Sequence, residues 1–170
     1  FTAWGVGGLV LSQISGAVYD AAKAAEKASL ITRGLAADIA ARSGDTAGAQ
    51  TQLDELVKRN PEGEYADLAR LNRAVLAIRA GRGAAVLGEL AELIRSSPLS
   101  PYMGRMRLAR GVVLSATGKT AEAERDFRAA QAQGEGAASS LGLGRVAFER
   151  GQWEDAEREF VEARDAGTGP

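Results

Sequence analysis

Apolar and small residues recur at helical spacing along most of the chain. Near the C-terminus, Ala156, Phe160 and Ala163 follow one another at intervals of four and three residues, which places them on one face of a helix. Gly151 lies just before this helix, and its missing Cβ tolerates the left-handed conformation that ends many helices. The pattern therefore predicts two helices joined by a turn at Gly151.

The same arrangement occurs in three more copies upstream. In each copy a small residue stands seven positions before a turn glycine, and an apolar helical series follows that glycine. The turn glycines are Gly44, Gly81, Gly118 and Gly151. The small residues are Ala37, Ala74, Gly111 and Gly144. Segments rich in proline, glycine or serine separate the copies, at residues 60–63, 96–101 and 134–136.

A bulky residue also recurs in the second helix of each copy. The four are Leu53, Leu90, Phe127 and Phe160. A small residue on the first helix of a pair lets the second helix approach closely, and the bulky residue then fills the space between successive pairs. Because a single pair cannot bury its own apolar face, the pairs are expected to stack into an all-α array with a continuous core.

This pattern resembles the tetratricopeptide-repeat family, whose unit has about 34 residues. The resemblance covers about residues 30–168 and implies an α-solenoid of about four helix-turn-helix units. The predicted units are approximately 30–63, 64–101, 102–136 and 137–170, within a repeat array over 29–170. The chain departs from the family at Arg73 and Arg110, where a large apolar residue is usual.

Residues 1–28 are predicted to form an extra N-terminal helix that is apolar and rich in alanine. No charged residue occurs between Phe1 and Tyr19. Two interpretations stay open: the segment is the remnant of a membrane anchor with aromatic residues near its ends, or it is a packing helix that covers a groove of the array. The candidate anchor residues are Trp4, Leu9, Leu11, Ile14 and Tyr19.

The composition excludes several kinds of chemistry. The chain has no Cys and no His, so disulfides, Cys or imidazole zinc sites and histidine-based nucleophilic catalysis are ruled out. With 21 Lys and Arg against 22 Asp and Glu, no basic excess favours nucleic acid. We therefore expect that the protein is not an enzyme and that it binds no metal and no cofactor. A carboxylate-based hydrolase is a minor alternative.

Two local motifs favour structural interpretations. Thr117, Gly118, Lys119 and Thr120 resemble the end of a phosphate-binding loop, but the glycine that such a loop needs is replaced by Val113. We predict instead a turn between helices in which Thr120 caps the second helix. The acidic cluster at residues 154–159 is predicted to be a solvated helix face, with Glu154 and Arg158 as an i,i+4 pair.

The resemblance also implies a partner-binding site. In this family the first helices of the units line a concave groove, at the second, fifth, ninth and twelfth positions of each unit. The implied groove residues are Leu68, Leu71, Val75, Ile78, Arg105, Leu108, Val112, Leu141, Arg145 and Phe148. This largely apolar stripe suits an amphipathic helix or peptide of another protein, with an arginine binding a carboxylate. Cover by residues 1–28, or by a second copy in a homo-oligomer, stays open.

The order of segments shows a second resemblance, to membrane-anchored bacterial repeat proteins that accompany the Sec translocon. Those proteins have an N-terminal membrane helix, an Ala-rich helix and a periplasmic repeat domain, and residues 65–69 and 107–110 lie where they have similar segments. This resemblance implies a membrane-associated or periplasmic scaffold in the assembly or quality control of exported proteins. A constitutive subunit of a membrane complex and a cytoplasmic location are the alternatives.

Overall fold

The computed structural model describes residues 23–25 and 44–167, and all regular secondary structure within them is α-helical. Residues 23–25 are helical, and seven longer helices follow. They are α1 (Thr46–Arg59), α2 (Glu64–Arg79), α3 (Gly83–Ser96), α4 (Met103–Ala116), α5 (Thr120–Gln131), α6 (Gly136–Glu149) and α7 (Trp153–Gly167). The all-α prediction is confirmed, and the helices end at the predicted breaks.

The candidate membrane residues lie outside the described residues. They are Trp4, Leu9, Leu11, Ile14 and Tyr19. Among the helices that the structure describes, none combines the length and the hydropathy needed to cross a bilayer.

The chain divides into two compact units, residues 1–52 and 53–170. In the first unit, Asp45 precedes α1, and its carboxylate accepts a hydrogen bond of 2.8 Å from the backbone N–H of Gly48. This bond pairs one of the free N–H groups at the start of a helix. Helices α2 to α7 all belong to the second unit.

The turns within the helix pairs share one geometry. Gly81, Gly118 and Gly151 follow α2, α4 and α6 with φ angles of 73°, 77° and 72°, and Gly44 before α1 has 86°. After each of the first three, a backbone N–H reaches five residues back, as from Lys119 to the carbonyl of Leu114 at 2.9 Å. This bond defines a Schellman turn, which needs a left-handed residue and so favours glycine. The turn glycines Gly81, Gly118 and Gly151 are therefore confirmed, and Gly44 has a left-handed φ as well.

Within the second unit, each helix from α2 to α7 packs on the next in chain order, and the first helices α2, α4 and α6 also contact one another in series. Two buried clusters hold them together. One comprises Leu71, Ala74, Leu90, Leu93, Met106, Ala109 and Val113. The other comprises Leu114, Ala123, Phe127, Leu143 and Val146.

Phe127 shows why glycine recurs in the first helices. Its ring is 1% exposed and lies so close to α4 and α6 that a Cβ would come within 2.8 Å of it at Gly111 and within 2.6 Å at Gly142. The ring thus packs on the backbones of two successive first helices. The prediction that this residue fills the space between units is confirmed.

Arg73 and Arg110, where the chain departs from the family pattern, form ion pairs between helices. Arg110 on α4 donates two hydrogen bonds to the carboxylate of Asp126 on α5, at 2.6 and 2.7 Å. Arg73 on α2 bonds Glu89 on α3 and, at 3.0 Å, Asp54 on α1. Each arginine therefore replaces an apolar contact with a charge-assisted one.

Two local predictions were wrong. Helix α5 begins at Thr120, so Lys119 occupies the capping position, and no side-chain cap is formed. The Schellman turn already uses the backbone N–H of Lys119, which leaves Thr120 inside the first turn. Arg158 pairs with Asp155 at 2.8 Å rather than with Glu154, because residues three apart are also neighbours on a helix.

Candidate partner-binding face

The solvent side of α2, α4 and α6 forms one surface, which we call the first-helix face. Its residues are Leu68, Asn72, Val75, Arg79, Arg105, Leu108, Val112, Leu141, Arg145 and Phe148. Three of its apolar side chains are well exposed: Val112 at 39%, Leu141 at 53% and Phe148 at 56%. Leu68, Val75 and Leu108 are half-buried.

Leu71 does not line this face, although the sequence implied that it would. It is 0% exposed and packs in the cluster that contains Leu90 and Met106. Ile78 is half-buried and lies on the edge of the same cluster. The reason is geometric: Leu71 lies on the side of α2 that carries Ala74, and this side packs on α3 and α4.

The outward stripe of α2 therefore includes two residues that the sequence analysis missed, Asn72 and Arg79. Asn72 is half-buried and Arg79 is exposed. Helical spacing from Leu68 and Val75 could have found them, because residues 68, 72, 75 and 79 share one side of a helix.

Exposure of the equivalent leucine increases along the array. Leu71 on α2 is fully buried, Leu108 on α4 is half-buried, and Leu141 on α6 is 53% exposed. The apolar part of the face that a partner could reach is thus concentrated on α4 and α6.

Three arginines of the face are exposed and, within the described residues, form no ion pair: Arg79, Arg105 and Arg145. Several other arginines of the array form ion pairs, as Arg110 does with Asp126 and Arg150 does with Glu124 at 2.5 Å. The exposed carboxylate nearest to Arg145 along α6 is Glu149, and no ion pair joins the two. The face therefore presents apolar side chains among unneutralised guanidinium groups.

An aromatic pair marks the C-terminal edge of the face. The rings of Phe148 and Trp153 meet edge to face, with centroids 5.0 Å apart and an interplanar angle of 76°. Beside them lies an open cavity of about 430 Å³ that Phe160 and Val161 also line. Trp153, which is 62% exposed, was not predicted because no repeated motif marks it.

Nothing in the described part of the chain suggests a metal centre. No group of three or more acidic side chains there is arranged to hold an ion. The Glu124 carboxylate shows the dominant use of acidic residues: hydrogen bonds from Arg150 and Arg128 lower its pKa, and it links α5 to the end of α6.

Stacked helix pairs, glycine turns and an exposed first-helix face together define a helical-repeat scaffold of the kind that binds other proteins. Residues 16–141 match the tetratricopeptide repeat-like domain, which is well over half of the chain. The chain belongs to this family. The resemblance that the sequence suggested is thereby confirmed.

Two solved structures share the fold. The structure titled "MamA AMB-1 P212121" superposes with a TM-score of 0.57 at 14% identity, covering 83% of this chain and 74% of that one. The structure of PilW, described as a widely conserved type IV pilus biogenesis factor, superposes with a TM-score of 0.70 at 19% identity, covering 97% and 74%. At these identities the likeness establishes the α-solenoid fold alone. A search of curated proteins gave no match.

Proposed function

We propose that this protein is a scaffold that binds an amphipathic helix or extended peptide of another protein on the first-helix face. The observation that carries the proposal is the alternation of exposed apolar side chains with unpaired arginines on α4 and α6. Val112, Leu141 and Phe148 supply the apolar contact, and Arg105 and Arg145 supply the charge.

The chemistry of the face indicates the chemistry of the partner. Burial of apolar surface contributes roughly 25 cal/mol per Å², so a partner with apolar residues at helical spacing would gain most over Leu141 and Phe148. A guanidinium group binds a carboxylate through two parallel hydrogen bonds. The partner segment is therefore expected to carry Asp or Glu beside its apolar stripe.

The fold of the family supports a role in assembly, since its members present stacked helix pairs as binding surfaces. PilW is described as a biogenesis factor, and this chain shares its fold. We extend the proposal to the assembly or quality control of exported proteins, at the periplasmic side of a bacterial membrane. The uncharged stretch of residues 1–19 supports this location.

Photo-crosslinking in the native cell tests the proposal. A photoreactive residue placed at Val112 or at Leu141 should give adducts with one discrete partner protein, which mass spectrometry would identify. The matched control is Leu99, an apolar residue that is 96% exposed in the loop between α3 and α4 and is not one of the residues of the face. It should give no such adduct.

Other crosslinking outcomes contradict the proposal. Adducts from Val112 and Leu141 that join only a second copy of the chain, or only residues 1–28, would show that the face is covered by the protein itself. Equal labelling of the same partner from Leu99 would place the binding surface elsewhere. Charge reversal in the double variant Arg105→Glu, Arg145→Glu should abolish the specific adduct while the helical circular-dichroism spectrum stays unchanged.

A further inference from the structure

A second concave site lies away from the first-helix face, between α3, α4 and α5. It is a cavity of about 350 Å³. One wall is apolar and is formed by Leu87 and Ala91 of α3 and Leu114 of α4. The opposite wall is charged, and its composition is unusual for a chain of net charge -1.

Four cationic side chains line the charged wall, against two anionic ones. The cationic residues are Arg107, Arg110, Lys119 and Arg125. The anionic residues are Glu122 and Asp126. The cavity therefore concentrates positive charge beside a low-dielectric apolar wall, which strengthens its attraction for anions.

The Asp126 carboxylate is already committed within the protein. Arg110 donates two hydrogen bonds to it, which use both of its oxygens. Arg107 reaches the same carboxylate only at 3.7 Å, beyond hydrogen-bond range. The Nε–H of Arg107 is buried and has no hydrogen-bond partner in the described part of the chain.

Arg125 and Lys119 form no ion pair with an acidic residue among the described residues. Arg125 donates from Nε to the carbonyl of Ala121 at 3.3 Å, and Lys119 forms no ion pair. Glu122, the other acid of the wall, likewise pairs with none of them at ion-pair distance. These side chains can therefore bind an incoming oxyanion, and hydrogen bonds from a charged donor to an anion are the stronger kind.

We propose that this cavity binds an oxyanion group, a carboxylate or a phosphate, carried by a ligand whose apolar part contacts Leu87 and Leu114. The Arg107 guanidinium, whose side chain is 31% exposed, donates to one oxygen of the group. Lys119 and Arg125, both exposed at the rim, supply further charge to the same group. The site also explains why Lys119 follows the turn glycine without serving a phosphate-binding loop.

An NMR titration followed by amide chemical shifts tests the proposal. N-acetyl-leucine carries a carboxylate beside an apolar side chain, and N-acetyl-leucinamide is its uncharged counterpart. N-acetyl-leucine should shift the backbone amide signals around residues 87, 107 and 119. N-acetyl-leucinamide should bind at least about tenfold more weakly. Equal affinity for the two compounds, or no shift from either N-acetyl-leucine or inorganic phosphate, would overturn the proposal.

Inorganic phosphate distinguishes the two sources of the oxyanion. Tighter binding of N-acetyl-leucine than of phosphate would indicate a carboxylate ligand such as an apolar C-terminal residue. Tighter binding of phosphate would indicate a phosphorylated ligand. Either affinity should fall as the salt concentration rises, because the binding is largely electrostatic at the rim.

Two variants with matched charge changes localise the site. The double variant Lys119→Gln, Arg125→Gln alters exposed side chains and should weaken anion binding about tenfold or more. The control is Arg105→Gln, Arg145→Gln, which removes the same charge from the first-helix face and should leave the titration unchanged. If the two variants weaken binding equally, the effect is one of overall charge and the proposed site is wrong.

Discussion

Phe127 and Phe160 occupy the same position in successive repeats, yet their surroundings differ. Phe127 packs between Gly111 of its own pair and Gly142 of the next pair, and it is almost fully buried. Phe160 packs on Gly144 of its own pair, while its other side borders the open cavity beside Trp153. The comparison shows that part of the packing around this residue comes from the neighbouring repeat.

The contrast has an energetic meaning. In repeat proteins the stability of the array is approximately the sum of intrinsic terms and nearest-neighbour interface terms. At Phe127 both terms are present, whereas at Phe160 the outer interface is missing among the described residues. Substitutions at Phe127 and Phe160 therefore distinguish the intrinsic term from the interface term.

The largest effect is expected from truncation of the enclosed ring. Phe127→Ala should lower the free energy of unfolding by about 3–5 kcal/mol, because it leaves a cavity between three helices. Phe160→Ala should cost about half as much, since that ring is already partly hydrated. Urea unfolding monitored by circular dichroism measures both, and equal losses would contradict the nearest-neighbour interpretation.

The second effect comes from adding a methyl group beside each ring. Gly142→Ala places a Cβ 2.6 Å from the Phe127 ring, which cannot move away, so we expect a loss of about 1–3 kcal/mol. Gly144→Ala makes an equally short contact with Phe160, but this ring can swing toward the open cavity, and the loss should be smaller. Thermal or urea unfolding of the two variants gives the ranking.

Gly88→Ala is the matched control for these glycine variants. Gly88 lies inside α3 with open space around the added Cβ, so the variant should be stabilised by up to about 1 kcal/mol through helix propensity. A destabilised Gly88→Ala would mean that glycine replacement itself, and not contact with a ring, causes the loss at Gly142.

The third effect tests the acidic residue that precedes each phenylalanine. Asp126 binds Arg110, whereas Glu159 has a buried oxygen, Oε2, without a hydrogen-bond partner among the described residues, because Leu143 stands where the third pair has Arg110. Asp126→Asn should cost about 1–2 kcal/mol, and Glu159→Gln should be close to neutral. Unfolding at neutral pH compares them, and a larger loss at Glu159 would show that an additional group binds its carboxylate.

The smallest effect concerns the ion pairs of Glu124, of which the one with Arg150 joins the third and fourth pairs of helices. Because hydrogen bonds from Arg150 and Arg128 lower the pKa of Glu124, its contribution is present above the ordinary carboxyl pKa and is lost as the pH falls through the lowered value. Glu124→Gln should therefore be less stable than the native chain at neutral pH, by under about 1 kcal/mol.

That difference should disappear when the carboxylate is protonated. Unfolding curves of the native chain and of Glu124→Gln at neutral pH and at about pH 3 measure it. Glu154→Gln removes an exposed acidic residue of α7 and serves as the control, with no change expected at either pH. A difference between Glu124→Gln and the native chain that persists at acidic pH would mean that shape, and not charge, matters at this position.

The sequence predicted the helix pairs because turn glycines and small residues obey strict local geometry. Gly118 must adopt a left-handed φ, and Gly111 must admit a ring, and both requirements are visible in the spacing alone. The role of Arg110 was not predicted, because apolar periodicity does not show which acid an arginine reaches. Arg73 and Glu89 are as far apart in the sequence as Arg110 and Asp126. This repeated spacing was the signal that could have predicted the ion pairs.

The candidate face was predicted less completely than the fold. Its residues on α4 and α6 are exposed or half-buried, but Leu71 is buried, since its side of α2 packs against α3 and α4. Such packing depends on helix rotation, which a family position does not specify. The cationic cavity depends on three helices at once, and no single stretch of sequence shows it. Partner binding by the face stays a prediction.

Gly142 of α6 packs against the Phe127 ring, and this contact affects how the array opens. Separation of α6 and α7 from the rest would expose the Phe127 ring to water, so this helix pair cannot detach without a penalty inside the third pair. Fraying is expected to begin in α7 alone, because its opening leaves the Phe127 ring covered. Backbone amides of α6 should then exchange with solvent almost as slowly as those of α4, and the amides of α7 much faster.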